Sequence, residues 1–323
     1  MIHRTLTGWT AESQKPMKSN FRKPAILLVS IVAFGLAGFT LFVTPRQDTS
    51  DRDDFTDVKL EKVIAFAERS NSAYHEAKDF RREYGPQIEA GEFPVSGLRV
   101  YVDKDPAAGE QWVVIRGTAN LRDILDDLEF IGRDKHELGI NVHVGFDTAL
   151  QECLPWILER LDKTLPVWVT GHSLGGSVAA LLVATLDHRG FKDVSAITFG
   201  QPKFTDAHGA AKLARLKILR IVHDEDPIPM LPPVDLEGKA FAFYHHFGPE
   251  LIVRANGNFN FLPEHSNERF DVARFWADLK NVHPMSHDMV KGYLPALKCA
   301  LASAPKSPAE STGPKPGLAT KSQ

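Results

Sequence analysis

The sequence predicts an α/β fold: a central, mostly parallel sheet with helices on both faces, preceded by one N-terminal transmembrane helix. Three observations lead there. Between about Val58 and Leu301, strand-like runs alternate with helix-like runs, the order expected when parallel strands are joined by crossover helices. Several strand-like runs, VWVTG (167–171) and VSAITFG (194–200) above all, are apolar almost throughout, as strands buried on both faces are. Near the N-terminus, Ala25 to Val43 carries no charge and would span about 28 Å as a helix, close to the hydrocarbon thickness of a bilayer.

In chain order, residues 1–24 form a basic tail in which Arg4, Lys15, Lys18, Arg22 and Lys23 precede the apolar run, while only Arg46 and Arg52 follow it closely. The excess of positive charge on that side places the N-terminus in the cytoplasm and everything after residue 44 outside. Residues 25–44 are expected to be a retained membrane anchor. The alternative is a cleaved signal peptide with Gly35-Leu36-Ala37 as its small-residue site and a secreted product, but the apolar run continues through Phe39, Leu41, Phe42 and Val43. A buried core helix would show a polar face, which this run lacks. Residues 45–57 are polar and charged, as a linker should be.

Residues 58–301 are expected to form the folded domain. Its strand-like runs are LRVYV (98–102), WVVIR (112–116), VWVTG, VSAITFG, ILRIV (218–222), FAFYH (241–245) and ELIVR (250–254), rich in β-branched and aromatic residues. Its helix-like runs are DVKLEKVIAFAERSN, VGFDTALQECLPWILERLDK, LGGSVAALLVATLDH, DAHGAAKLARL and NERFDVARFWADLKN, with apolar residues three and four apart. Residues 302–323 are rich in Pro, Ser, Lys and Gly with almost no large apolar side chain, a composition that does not build a core.

The chain of 323 residues is 43% hydrophobic and 24% charged, with 38 basic against 41 acidic residues and a net charge of −3. That balance offers no clustered cations to neutralise phosphates, so nucleic acid is excluded as a partner. The two cysteines, Cys153 and Cys299, are too few for a disulfide framework and are equally compatible with one bridge or two separate thiols.

The chemistry centres on GHSLG. Ser173 follows a buried strand at once and opens a helix rich in Ala and Leu, so the turn exposes its Oγ above the sheet edge and leaves the next amide free at the helix N-terminus. Side chains at Gly171 and Gly175 would crowd that turn. A packing turn with an incidental serine is the bland alternative, and the strand–turn–helix context argues against it. A serine hydroxyl needs a base to take its proton, and a histidine base needs an acid to orient it. On such sheets both partners follow the serine in sequence, acid before base.

ILRIV runs into HDEDPIPMLPP, offering Asp224, Glu225 and Asp226 at the C-terminal end of a strand, where the sites of open α/β sheets collect. Asp226, whose following proline fixes the exit of the loop, is the chosen acid; Asp224 and Glu225 read as solvated loop charges. For the base, His245 and His246 end a strand-like run and His265 lies in a loop. His283 and His287 sit in the segment leading to the final helix, the expected place.

An ester hydrolase also needs donors for the oxyanion, each worth about 3–4 kcal/mol. The amide of Leu174 is one. WVVIRGTAN supplies the other, with Thr118 able to offer both backbone N–H and hydroxyl at the end of a strand. Immediately beyond, Leu121, Ile124, Leu125 and Leu128 fall at i, i+3, i+4 and i+7 with Arg122, Asp123, Asp126, Asp127 and Glu129 opposite. This short amphipathic helix is either permanently packed or a lid whose apolar stripe turns toward lipid at an interface.

RGTANLRDILDDLEF, NVHVGF, VTGHSLGGSVAALLVATL, FGQPKF, HDEDPIPMLPP and SHDMVKGYL, in that order, resemble the class 3 (fungal-type) lipase family of α/β-hydrolases over roughly residues 95–300. The resemblance implies Ser173 as nucleophile, Asp226 as acid, His287 as base with His283 its substitute, Thr118 and Leu174 as oxyanion donors, and about Ala119 to Phe130 as lid. His143 and Gly145 match a His-x-Gly-Phe element for which a structural role is expected. The expected function is hydrolysis of lipid esters through an acyl-enzyme at a membrane or lipid interface, with no metal or organic cofactor. A phospholipase A1, a short-chain carboxylesterase and an inactive membrane-tethered scaffold are the alternatives.

Overall fold

A computed structural model of the chain describes residues 59–105, 108–117, 132–135, 137–231, 244–263 and 284–303. The basic tail, the expected anchor (25–44), the linker and the C-terminal tail from residue 304 lie outside the described residues, while residues 302 and 303, expected to open that tail, end the final helix. Thr118, the four lid leucine and isoleucine positions, His265, His283 and the helix-like run 267–281 also lie outside. Among the described residues no helix is long and apolar enough to cross a membrane.

Helices α1 (Leu60–Ser72) and α2 (Ala77–Tyr84) lead into β1 (Glu89–Phe93), β2 (Leu98–Asp105) and β3 (Glu110–Arg116). Then come β4 (Gly132–Lys135), β5 (Ile140–His143), α3 (Val144–Leu158), β6 (Val167–His172), α4 (Leu174–His188) and β7 (Val194–Phe199). The rest is β8 (Thr205–Asp206), α5 (Ala207–Leu213), β9 (Lys217–His223), a 3-10 turn at Ile228–Met230, β10 (Tyr244–His245), β11 (Glu250–Val253) and β12 (Phe259–Leu262). A helical turn at Pro284–His287, a π-turn at Met289–Tyr293 and α6 (Leu294–Ser303) close the described chain.

The main sheet has eight strands in the order β1-β2-β3-β6-β7-β9-β11-β12. The five from β3 to β11 run parallel, and antiparallel strands flank them at both edges. The apolar runs of the sequence are its centre: every residue of β7 is buried, as is all of β9 after Lys217. One face carries α3, α4 and α5, whose Leu150, Val178, Leu182 and Leu213 pack with Val113, Val169 and Ala196. The other carries α1 and α6, which bring Val63, Phe66 and Leu297 onto Ile197, Phe199 and Ile221. Burial from Gly175 to Leu186 around α4 is nearly complete, which explains why that helix reads as apolar on all sides.

Three expectations need correction. One central sheet was expected, but the described end of the strand-like run FAFYH, Tyr244 and His245, pairs with β8 in a second, four-stranded antiparallel sheet, β10-β8-β5-β4. The helix-like run from Val144 was expected to reach Lys163 but ends at Leu158, because beyond Leu161 the chain is turned away by the Gln111 side chain, which holds both the amide and the carbonyl of Asp162. His287 does not lie in an open loop; it ends the helical turn Pro284–His287. Both cysteines are free thiols.

Candidate active site

β6 delivers the chain to Ser173, and Ser173 is the one non-glycine residue with positive φ among the described residues, at φ 60° and ψ −130°. A conformation of this kind costs on the order of 1–3 kcal/mol and survives only where the surroundings over-determine it. Here the Ser173 amide donates to the carbonyl of Phe199 at 2.9 Å, extending the β6–β7 ladder by one residue, and the Ser173 carbonyl accepts from Gly176 at 2.9 Å. Glycines let three backbones meet around the turn. A Cβ on Gly171 would run into the Gly175 carbonyl, and one on Gly175 would come within 2.8 Å of the Gly117 nitrogen. Leu174 is the first residue of α4, so its amide is among those with no partner inside the helix.

The acid loop follows β9. Asp226 is 1% exposed, and its carboxylate accepts three hydrogen bonds: Oδ1 from the Ile228 amide at 2.9 Å, Oδ2 from His287 Nδ1 at 2.8 Å and from the Tyr293 hydroxyl at 2.6 Å. With three donors converging, both oxygens act as acceptors. Tyr293 is wholly buried; burial first, then the Asp226 charge, pushes its phenol well above its ordinary value, so it stays a donor. The Ser286 hydroxyl ties the same helical turn to the acid loop through the Glu225 carbonyl at 3.1 Å. Asp288 caps the π-turn by accepting from the amides of Val290 and Lys291, both at 2.8 Å.

Because His287 donates from Nδ1 to a carboxylate, a neutral ring carries its lone pair on Nε2. That Nε2 and the Ser173 Oγ both lack a hydrogen-bond partner, and both are buried: the serine, expected to stand exposed above the sheet edge, is 0% exposed. Unpaired buried polar atoms are rare and need a reason. Two of them, a hydroxyl at a strained turn and an imidazole nitrogen oriented by a carboxylate, are what a serine-activating pair requires.

Gly200, with φ +55°, faces Asp226 and His287. A Cβ there would lie 2.9 Å from Asp226 Oδ2 and 3.0 Å from His287 Cε1. The Gly of FGQPKF therefore keeps open the volume in which acid and base meet. His172, beside the serine, is also buried against His287, with ring centroids 4.5 Å apart. Asp224 pairs with Arg254 at 3.2 Å and the Glu225 carbonyl accepts from Ser286, while Asp226 is the acid of the three that meets His287. His245 lies in the second sheet, and His246 Nε2 sits 2.7 Å from the Pro229 carbonyl. His143 caps α3 by accepting from the Gly145 amide at 3.1 Å, in keeping with a structural role for that motif.

Sequence reading missed Tyr293, Gly200, His172 and Tyr74, which contacts His172. Tyr293 and Gly200 stood inside quoted motifs, but nothing local signals that they touch Asp226.

Residues 112–236 match the family described as lipase (class 3). A secreted mono- and diacylglycerol lipase of Fusarium solani is 33% identical over 165 residues, covering 48% of this chain and 47% of that protein. The chain thus spans about half the length of the curated relatives it matches. Among solved structures, lipase II from Rhizopus niveus superposes with a TM-score of 0.56 at 23% identity, covering 66% of this chain and 88% of its own. A lipase from Yarrowia lipolytica does so with a TM-score of 0.58 at 21% identity, covering 72% and 93%. At these identities the structural likeness is one of fold.

Proposed function

We propose, from the match of residues 112–236 to the class 3 lipase family, that the chain is a serine-dependent hydrolase of lipid esters. The observation that carries this reading is the pair of unpaired buried atoms: Ser173 Oγ on its strained turn, and His287 Nε2 on a ring held by Asp226. Ser173 Oγ attacks the ester carbonyl as its proton passes to His287 Nε2. The carbonyl π electrons move to oxygen, and Asp226 offsets the imidazolium charge. His287 then returns the proton to the leaving alcohol as the C–O bond breaks, giving an acyl-enzyme. Water, deprotonated by the same nitrogen, releases the acid and restores Ser173.

The oxyanion settles on the amide of Leu174 and on Thr118. Support for the second donor comes from Gly117, whose position leaves the chain entering Thr118 directly against the His172 carbonyl and the Gly175 amide. Met285 and Val290, 51% and 58% exposed on either side of His287, give the site an apolar rim suited to acyl chains. The segment carrying Leu121, Ile124, Leu125 and Leu128 serves as the lid, and residues 25–44 hold the domain at the outer face of a membrane. The secreted Fusarium relative supports the extracytoplasmic side.

Initial rates on a short-chain ester below and above its solubility limit, and on long-chain emulsions, test the substrate class. The rate should jump when an interface forms. A smooth, saturating curve through the solubility limit, with no hydrolysis of emulsions, would assign a soluble-ester carboxylesterase instead.

A further inference from the structure

Tyr74 and His172 carry a chain of hydrogen bonds that joins three distant segments at the site. Tyr74 stands in the turn after α1, and its hydroxyl lies 2.8 Å from Nδ1 of His172. The other ring nitrogen, Nε2, lies 2.7 Å from the backbone oxygen of His287. A carbonyl can only accept, so Nε2 carries the proton; in a neutral ring Nδ1 then accepts, and Tyr74 is the donor. The ring is neutral because burial, and next the neighbouring His287, hold its pKa well below the ordinary value. The Tyr74 oxygen also lies against Gly117, the residue before Thr118, where an added Cβ would come within 2.9 Å of it.

Both donors point one way: Tyr74 O–H to His172 Nδ1, then His172 Nε2–H to the His287 carbonyl. Bonds in such a series polarise one another. Its two ends are Tyr74, against the end of β3 at Gly117, and the turn that bears the base, and its middle is the residue next to Ser173. The pairs it links are 98 and 115 residues apart in sequence. With both ring nitrogens engaged, His172 has no free atom for proton transfer to substrate. The rings facing it are His287, Tyr74 and Tyr293, and Arg116 and Asp288 act on Tyr74 from beyond.

We propose that Tyr74 and His172 are positioning residues for ester hydrolysis, a directed strut that holds the base turn, and the end of β3 at Gly117, in place around Ser173. This rests on the reading of Ser173 and His287 given above.

The test compares Tyr74→Phe, His172→Phe and His172→Gln in the full chain, with Ser173→Ala alongside. Measurements are kcat and KM on a soluble short-chain ester, the fluorophosphonate labelling rate, and the thermal midpoint. A misplacement of reacting groups by about 1 Å costs up to about 100-fold. Tyr74→Phe and His172→Phe should lower kcat and labelling by tenfold to about 100-fold, with KM within about twofold. His172→Gln keeps one donor and one acceptor and should recover to within roughly threefold of the unaltered chain. If His172→Phe does not fold, Tyr74→Phe with an unchanged thermal midpoint decides alone. Unchanged kcat in Tyr74→Phe, or equal losses in His172→Gln and His172→Phe, overturns the strut while a dead Ser173→Ala leaves the triad reading standing. Full turnover in Ser173→Ala overturns that reading, and the strut with it.

Discussion

Gly200→Ala adds one methyl group at the place where acid and base meet. The backbone there has φ +55°, a left-handed conformation that costs an L-residue about 1–2 kcal/mol, so stability should fall by roughly that amount. The new Cβ would sit 2.9 Å from Asp226 Oδ2 and 3.0 and 3.1 Å from His287 Cε1 and Nδ1, against an ordinary contact of 3.4 Å, so the pair must give by about 0.5 Å. Asp226 is also held by the Ile228 amide and by Tyr293, so most of that movement falls on the His287 ring. At up to about 100-fold for a displacement of 1 Å, half that distance costs roughly tenfold in kcat. Urea denaturation gives the stability change, and kcat and KM on a soluble ester give the rest. A folded Gly200→Ala protein with kcat within about twofold of the original would refute the claim that this glycine exists to make room for the pair.

Other perturbations have equally definite outcomes. Tyr293→Phe removes the 2.6 Å bond to Asp226 and should cost about 1.5–3 kcal/mol in urea denaturation and about tenfold in kcat; no change in either would mean that the bond does not support the acid. Arg220 and Glu250 form an ion pair at 2.7 Å inside the sheet, with side chains 1% and 5% exposed, so Glu250→Gln should destabilise by about 3–5 kcal/mol while a surface pair such as Lys298–Glu68 contributes little. Acid should weaken the fold through His172. Its folded pKa lies well below 6.5, so in falling pH the unfolded chain takes up a proton that the folded one refuses. The stability this group gives is whole above about pH 6.5 and is lost below it, at about 1.4 kcal/mol per pH unit until its folded pKa is reached. His172→Gln should flatten the slope of unfolding free energy between pH 6.5 and 5 by about that amount, and parallel slopes would contradict the assignment.

The parts of the fold that could be read from sequence are those whose burial imposes a pattern. VWVTGH, VSAITF and KILRIVH lie between two helix layers, so both faces select apolar side chains and the runs stand out. β4, β5, β8 and β10 are two to four residues long and include polar residues such as Asn141 and Asp206, too short for any period to show. The same divide runs through the site. The GHSLG turn is local, and its glycines announce the close approach of Gly171, Gly175 and Gly117. Asp226 could be singled out because a strand end and a proline mark it. Tyr293 touches Asp226 across 67 residues and Tyr74 meets His172 across 98, contacts that only the assembled sheet creates. The Asp226–His287 bond also spans 61 residues, and there the family resemblance supplied what spacing could not.

Treatment with a fluorophosphonate probe tests the central claim most directly, because the probe bonds only to a hydroxyl whose proton is being taken by a base. The account predicts one adduct per chain, located on Ser173 by peptide mass spectrometry, lost in Ser173→Ala and His287→Ala, and formed in step with the loss of ester hydrolysis. Folded protein that hydrolyses esters with no adduct on Ser173, or labels equally well without His287, would contradict it.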